Sequence, residues 1–263
     1  MNNQTALVTG ASGGIGEDLT RELAARQYNL VLVARSGEKL EALGHELRQQ
    51  HGIQSTSIAM DLSTPDAAER LNKELETRHL SIDVLVNNAG FADYGEFWTL
   101  EPAKQAQMLH LNITTLTLLS RLLLPGMVAR KRGRIMNVAS TAAFMPGPLM
   151  SVYYASKAYV LSFSEGLAEE LIGTGVTVTA LCPGPVKTGF QARAAMQNSK
   201  LLKNPMNPLM DSKEVAKQGI AALERGQRVI IPGTMNQILA LVPRWMPRAF
   251  VPGMVKNAQA RNH

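Results

Sequence analysis

Short apolar runs rich in β-branched residues alternate along this chain with longer segments in which apolar residues recur at helical spacing. The runs Thr5–Thr9, Asn29–Ala34, Ser55–Ala59, Asp83–Val86, Arg134–Val138, Val176–Leu181 and Arg228–Ile231 read as strands. Most show little polar alternation, the pattern of strands covered on both faces of a parallel sheet. Helices are predicted near 14–26, 37–50, 65–78, 102–129, 151–173 and 212–224. Repeated strand–helix–strand units imply right-handed crossovers and an α/β fold, a doubly wound, seven-stranded parallel sheet with helices on both faces. Ligands bind such sheets beyond the carboxyl ends of the strands. No composition break marks a second domain, so residues 1–235 are expected to form one domain and 236–263 a C-terminal amphipathic extension.

Composition adds limits to that picture. A chain of 263 residues suffices for one well-buried α/β domain. With 45% apolar and 18% charged residues it is ordinary for a globular protein. The single cysteine, Cys182, cannot form an internal disulfide, so a reducing compartment, the cytoplasm, is expected. The start lacks the basic segment and apolar core of a signal peptide. No stretch is expected to supply the roughly 20 apolar residues of a membrane-spanning helix. The net charge of +6 raises the question of nucleic acid. Its dense run, Arg130-Lys131-Arg132 with Arg134, follows an apolar helical stretch, where the helix dipole favours cations, and no aromatics interleave with it to stack bases. A solvated helix end is the expected reading, and no nucleic-acid partner.

Candidate chemistry lies after the predicted strands. The first is followed by Thr9-Gly10-Ala11-Ser12-Gly13-Gly14-Ile15-Gly16. Glycines there allow a tight turn, close approach of backbone N–H groups to a pyrophosphate and close packing of the next helix, whose N-terminus favours anions. The spacing is Gly-x-x-x-Gly-x-Gly. The second strand ends at Arg35-Ser36, with no Asp or Glu between Glu22 and Glu38. An acidic residue here would suit the ribose hydroxyls of NAD, whereas Arg35 suits the extra phosphate of NADP(H). Asp61-Leu62 follows the third strand, with Asp61 either bonding an adenine amino group or serving a helix N-terminus, a role that Ser63 or Thr64 fits better. Asn87-Asn88-Ala89-Gly90 follows the fourth, where small residues allow the backbone to lie against a ribose.

The remaining candidates carry acid–base chemistry. Tyr153 and Lys157 are four apart on a predicted helix and share a face. An unperturbed tyrosine is a poor acid–base group at neutral pH, and a neighbouring ammonium stabilises its phenolate. Tyr154, three residues from Lys157, satisfies the spacing as well. Ser140 ends the fifth strand, placed to donate to a carbonyl oxygen as negative charge develops. Asn112 is a polar residue in the apolar stretch around Leu109, Leu111 and Leu116, where a satisfied core amide is the simpler reading.

Taken together, TGASGGIG at 9–16, NNAG at 87–90, Asn112, Ser140, YYASK at 153–157 and Pro183-Gly184 with Thr188 resemble the short-chain dehydrogenase/reductase family, over about residues 4–231. The resemblance implies a Rossmann-type oxidoreductase that interconverts a carbonyl and a secondary alcohol. It selects Tyr153 over Tyr154 as acid/base and Ser140 as the carbonyl-orienting group. Lys157 would also bond the nicotinamide ribose, and Asn112 would hold a local helix distortion and a water linking Lys157 to solvent. Gly10, Ser12, Gly14, Ile15, Gly16, Arg35, Asp61, Leu62, Asn88, Ala89 and Gly90 would bind the adenine and phosphate parts of NADP(H). Pro183, Gly184, the Val186 backbone and the Thr188 hydroxyl would seat the nicotinamide. Gly13 stands where many NADP-preferring members carry a second basic residue, so the preference rests on Arg35. A homodimer or homotetramer through the helices at 102–129 and 151–173 is implied.

Around the site, 189–210 is expected to form a substrate lid with Phe190, Met196, Leu201, Leu202, Met206, Leu209 and Met210. Phe144, Met145 and Leu149 lie beyond Ser140, and these side chains point to a hydrophobic carbonyl compound. In the tail, Pro243, Pro247 and Pro252 prevent one long helix. Its apolar and cationic pieces suit a subunit contact or a cover for the pocket; peripheral membrane contact is the other reading. A non-catalytic NADP(H) sensor of the same fold is the alternative function, but a sensor has no need of Asn112, Ser140, Tyr153 and Lys157 together.

Overall fold

The computed structural model describes residues 4–190 and 209–259. Seven parallel strands form one sheet: β1 (Thr5–Thr9), β2 (Asn29–Ala34), β3 (Ser55–Ala59), β4 (Val84–Asn87), β5 (Gly133–Val138), β6 (Val176–Leu181) and β7 (Val229–Ile230). Four keep the predicted bounds, while β4 shifts by one residue, β5 starts one residue earlier and β7 shortens to two. The order β3-β2-β1-β4-β5-β6-β7 reverses direction between β1 and β4 and opens a crevice at their carboxyl ends. This is the doubly wound sheet the alternation predicts.

Period-two alternation within buried strands divides the core into two layers. Ala6, Val8, Leu30 and Leu32 face α1 (Ile15–Ala25), α2 (Gly37–His51) and the helix Ser212–Glu224. Leu7, Val31, Val33 and Ile135 face the other side, with α3 (Ala67–Thr77) and parts of the helices described next. Continuous apolar strands are therefore the direct signature of a sheet covered twice.

The predicted helix 102–129 is three pieces: α4 (Pro102–Leu109), a π-helical stretch His110–Thr115, and α5 (Leu116–Ala129). The 28 residues Pro102–Ala129 are long and apolar enough to cross a membrane by length and composition, contrary to expectation. Leu116, Leu119, Ser120 and Met127 of α5 nevertheless sit buried. α6 (Ser151–Glu170) and α7 (Ser212–Glu224) follow, and the tail forms α8 (Thr234–Trp245) and α9 (Val251–Gln259). The tail is not one long helix, as expected, but of the three prolines only Pro247 falls at the break; Pro243 lies inside α8 and Pro252 in the first turn of α9.

The basic run ends α5, as predicted, and is tied to β4. Arg130 donates to Ile82 O at 2.9 Å and Arg132 pairs with Asp83 at 3.0 Å. Arg132 is more than half exposed, so this pair contributes about 1 kcal/mol or less.

A polar ladder runs beneath the crevice. Asn87 Nδ2 donates to Ser120 Oγ (3.0 Å) and to Asn137 Oδ1 (2.9 Å), and Asn137 Nδ2 donates to Ser164 Oγ (2.9 Å). These buried groups join α5, β4, β5 and α6. Breaking one link would leave a buried polar atom unmatched, at a cost of roughly 1–3 kcal/mol.

Candidate active site

The glycine turn does what its spacing implies. Gly10 and Gly14 have φ of 68° and 59°, a region costly for residues with a Cβ. A Cβ on Gly16 would collide with Gly10 O and the Asn88 amide, so α1 can approach β1 only with glycine there. No described side chain caps the start of α1, and Gly14, Ile15 and Gly16 at that start line the cleft described below. Asn88 braces this turn from β4, with Nδ2 donating to Thr9 O at 2.9 Å. The backbone N–H groups of Asn88 and Ala89 both donate to Thr9 Oγ1 at 3.0 Å.

Arg35 stands exposed at the end of β2. Lys39, one turn into α2, lines the same cleft and was not anticipated. Its signal was legible, because it lies four positions beyond Arg35 in the first turn of the helix that follows β2. Asp61 forms a turn in which its Oδ1 accepts from Ser63 N (2.9 Å) and Ser63 Oγ (2.7 Å). The Ser63 backbone bond, chiefly, holds its carboxyl below the ordinary aspartate value, with Arg35 adding to the effect. Leu62 is buried, and its carbonyl accepts from Thr115 Oγ1 at 2.8 Å.

Asn112 lies inside the π-helical stretch, so the implied helix distortion is present. It is 1% exposed, and its amide is spent on the segment after β4 and on α6. Oδ1 accepts from Phe91 N (3.2 Å), while Nδ2 donates to Phe91 O (3.0 Å) and Ser156 Oγ (3.1 Å). It is the one candidate that does not itself line the cleft. Gly90 separates it from the lysine: a Cβ there would stand 2.9 Å from Asn112 Oδ1 and 3.7 Å from Lys157 Nζ.

Ser140, Tyr153 and Lys157 converge at the far end. Ser140 Oγ accepts from Ala142 N at 3.1 Å and leans on Pro183 O at 3.4 Å. Lys157 Nζ donates to Val138 O at 2.7 Å and lies 5.8 Å from the centre of the Tyr153 ring. Burial pushes the Tyr153 hydroxyl well above its ordinary value, and a hydrogen bond with Ser140 pulls it partly back. Burial also lowers Lys157 to about 8, with Cys182 opposing. The expected depression of Tyr153 by Lys157 is therefore not the leading effect here; desolvation is. Tyr154 points elsewhere, with its hydroxyl accepting from Gln259 Nε2 and burial pushing it up to about 12.

The Pro183–Thr188 segment folds over the glycine turn. A Cβ on Gly14 would stand 3.4 Å from the Thr188 side chain. Val186 bridges to Met210, with Lys187 N donating to Met210 O at 3.0 Å. A Cβ on Gly184 would overlap Asn236, a buried α8 residue whose Nδ2 donates to Pro232 O at 2.8 Å. Asn236 thus shapes the loop from the tail, a contact without sequence signal.

These parts surround one cleft of about 940 Å³, lined from Arg35 through the glycine turn to Tyr153 and Phe190. Met150, Phe91 and Ala142 complete its apolar end. Phe144, Met145 and Leu149 do not line it: Phe144 packs beside Leu116 and Val160, while Met145 and Leu149 pack behind Tyr154. Of the expected lid, Phe190, Leu209 and Met210 are described, and Met196, Leu201, Leu202 and Met206 lie outside the described residues. α9 covers the cluster behind the cleft through Val251 and Val255, and Tyr94 Oη donates to Gln259 O at 2.8 Å. The tail's protein contact is thus made within the chain.

Comparison with known proteins agrees with this geometry. A family model described as short chain dehydrogenase matches residues 4–199. The very-long-chain 3-oxoacyl-CoA reductase of Mus musculus is 32% identical over 260 residues, covering 97% of this chain and 81% of that protein. A short-chain dehydrogenase from Sphingobium yanoikuyae, solved in complex with NADPH, aligns with a TM-score of 0.81 and 33% identity over 92% of this chain and 91% of that one. The bulky-bulky ketone specific alcohol dehydrogenase of Comamonas testosteroni aligns with a TM-score of 0.77 and 28% identity, over 95% and 97%. With a family match over most of its length and a cleft built at the sheet's switch point, the chain belongs to the short-chain dehydrogenase family, as an oxidoreductase interconverting carbonyl and CH–OH groups.

Proposed function

We propose that the enzyme is an NADP(H)-dependent reductase of a hydrophobic ketone or 3-oxoacyl compound. The observation that carries this reading is one continuous cleft with two cations, Arg35 and Lys39, at one end and Ser140, Tyr153 and an apolar wall at the other. The donor set fits the cofactor: a cradle that a Cβ would fill at Gly10, Gly14 and Gly16, and guanidinium and ammonium groups suited to a phosphate monoester. The bound nicotinamide supplies hydride chemistry.

The chain supplies the rest. Ser140 orients a carbonyl oxygen, and the Tyr153 hydroxyl donates its proton as negative charge develops there. Burial keeps that proton on the hydroxyl through the neutral range, and the charge of Lys157 offsets the penalty on the phenolate as the proton leaves. Lys157 would hold the nicotinamide ribose and backs the tyrosine with its charge. Asn112 fixes Phe91 and so the position of Gly90 beside Lys157.

The apolar end, with Phe91, Met150, Tyr154 and Phe190, supports a bulky or acyl-chain substrate over a sugar. The named substrates of the mouse and Comamonas relatives support the same reading. The exposed Leu109, Leu122 and Tyr159 support self-association through α4, α5 and α6. The buried thiol Cys182 supports a reducing, cytoplasmic setting.

The test follows oxidation of NADPH and NADH with 3-oxoacyl thioesters, bulky ketones and ketose sugars. A kcat/KM at least tenfold higher with NADPH, and highest on the apolar substrates, is expected. Preference for NADH or for the sugars would overturn the corresponding part of the reading.

A further inference from the structure

α8 is packed with its apolar side outward. Its inward positions are Asn236 and Ala240, 2% and 0% exposed. Met235, Ile238, Leu239, Leu241 and Trp245 are 38% to 88% exposed, and at 3.6 residues per turn they share less than half of the helix circumference. On α9, Val251, Val255 and Gln259 face the protein while Met254, and Phe250 just before the helix, remain exposed. Seven of the thirteen large apolar side chains left exposed among the described residues thus fall between 235 and 254.

Charge distinguishes the possible occupants of this surface. The sequence segment 229–263 contains Arg244, Arg248, Lys256 and Arg261 and no Asp or Glu, so it carries four of the chain's six net positive charges; Arg248 and Lys256 are exposed. A second copy docked about a two-fold axis would set these cations against themselves. An anionic surface would complement them. Short helices with apolar residues and tryptophan on one side, flanked by Arg and Lys, have the makeup of segments that lie in a membrane interface.

We infer that α8 and α9 form a docking surface for an anionic lipid bilayer. Trp245 lies at the headgroup level, Ile238 and Leu241 dip below it, and Arg248 and Lys256 meet lipid phosphates. The inner side of α9 rests on the cluster containing Tyr154. Docking therefore places the apolar end of the cleft beside the membrane.

The test uses the full-length protein and vesicles of phosphatidylcholine alone or in equimolar mixture with phosphatidylglycerol. Co-sedimentation is expected with the mixed vesicles only, weakening as salt is added. In a Trp98→Phe background, which leaves Trp245 as the only tryptophan, emission should shift to the blue on binding. Ile238→Asp/Leu241→Asp should reduce partitioning at least tenfold, and Arg248→Gln or Lys256→Gln about fivefold each. These side chains are exposed, so circular dichroism and turnover of a water-soluble ketone should be unchanged. The inference is overturned if the wild type stays in the supernatant with anionic vesicles, or if the double variant binds them like the parent. Loss of an oligomer in the double variant, with no vesicle binding by the parent, would make a second copy the occupant instead.

Discussion

The two ends of the cleft are built by different means. The cofactor end is made of backbone: a turn that only glycine can follow, an open helix start, and Asn88 bracing both within a few residues of two adjacent strands. The substrate end is made of side chains gathered from afar, including Tyr154 on α6, Phe190, and Gln259 on the last helix, 105 residues from its partner. Constraint is local and short-range at one end and long-range at the other. The first end should therefore respond to substitution in cofactor terms alone, and the second in substrate terms.

The largest effect should come where the ends meet. Tyr153→Phe removes the proton donor but little volume, so kcat should fall at least a thousandfold while the NADPH dissociation constant changes less than threefold. Titration by cofactor fluorescence and single-turnover kinetics check both parts, and retained turnover would sink the assignment. Next is Arg35→Asp, which should lower the NADPH-to-NADH ratio of kcat/KM by about a hundredfold, with the KM for the carbonyl substrate unchanged. A change in substrate KM would blur the division between the two ends. Gln259→Leu should act oppositely, raising KM for a bulky ketone several-fold through a loosened Tyr154 and leaving cofactor affinity intact. Restoration by Gln259→Asn is not expected, because the shorter side chain falls short of Tyr154.

The smallest effect is a pH dependence. Lys157 is held at about 8, below its ordinary value, because burial penalises the charged form. Between about pH 8 and 10.5 the unfolded chain binds this proton more tightly than the folded one, so this group makes stability rise with pH across that window. Lys157→Met removes the contribution. Its stability advantage over the parent, measured by urea unfolding, should be largest below pH 8 and shrink as pH approaches 10.5. An advantage constant with pH would show that the lysine is not desolvated.

The sheet was legible because strands buried on both faces leave an unbroken apolar signal, and four kept their bounds to the residue. The glycine turn and Arg35 were legible because each lies within a few positions of a strand end, and the Tyr153–Lys157 pair because its members are four apart on one helix, α6. The π-helical stretch was not: apolar Leu109, Leu111 and Leu116 keep helical spacing whether or not one turn is widened. Only the family resemblance pointed to it, through Asn112. Phe144 was misplaced for a related reason, since sequence proximity to Ser140 says nothing about which face of the next turn it occupies. Asn236 and Gln259 carried no signal because their partners are set by how the tail returns over the sheet.

The Asn87–Asn137 ladder has a mechanical consequence. It fastens the two middle strands to helices on the strip where the crevice opens, so the floor beneath the reacting atoms should be among the last amides to exchange with deuterium. Compliance is then confined to the walls. A substrate of different girth can be met by exchanging wall residues such as Met150 or Phe190, with the foundation undisturbed.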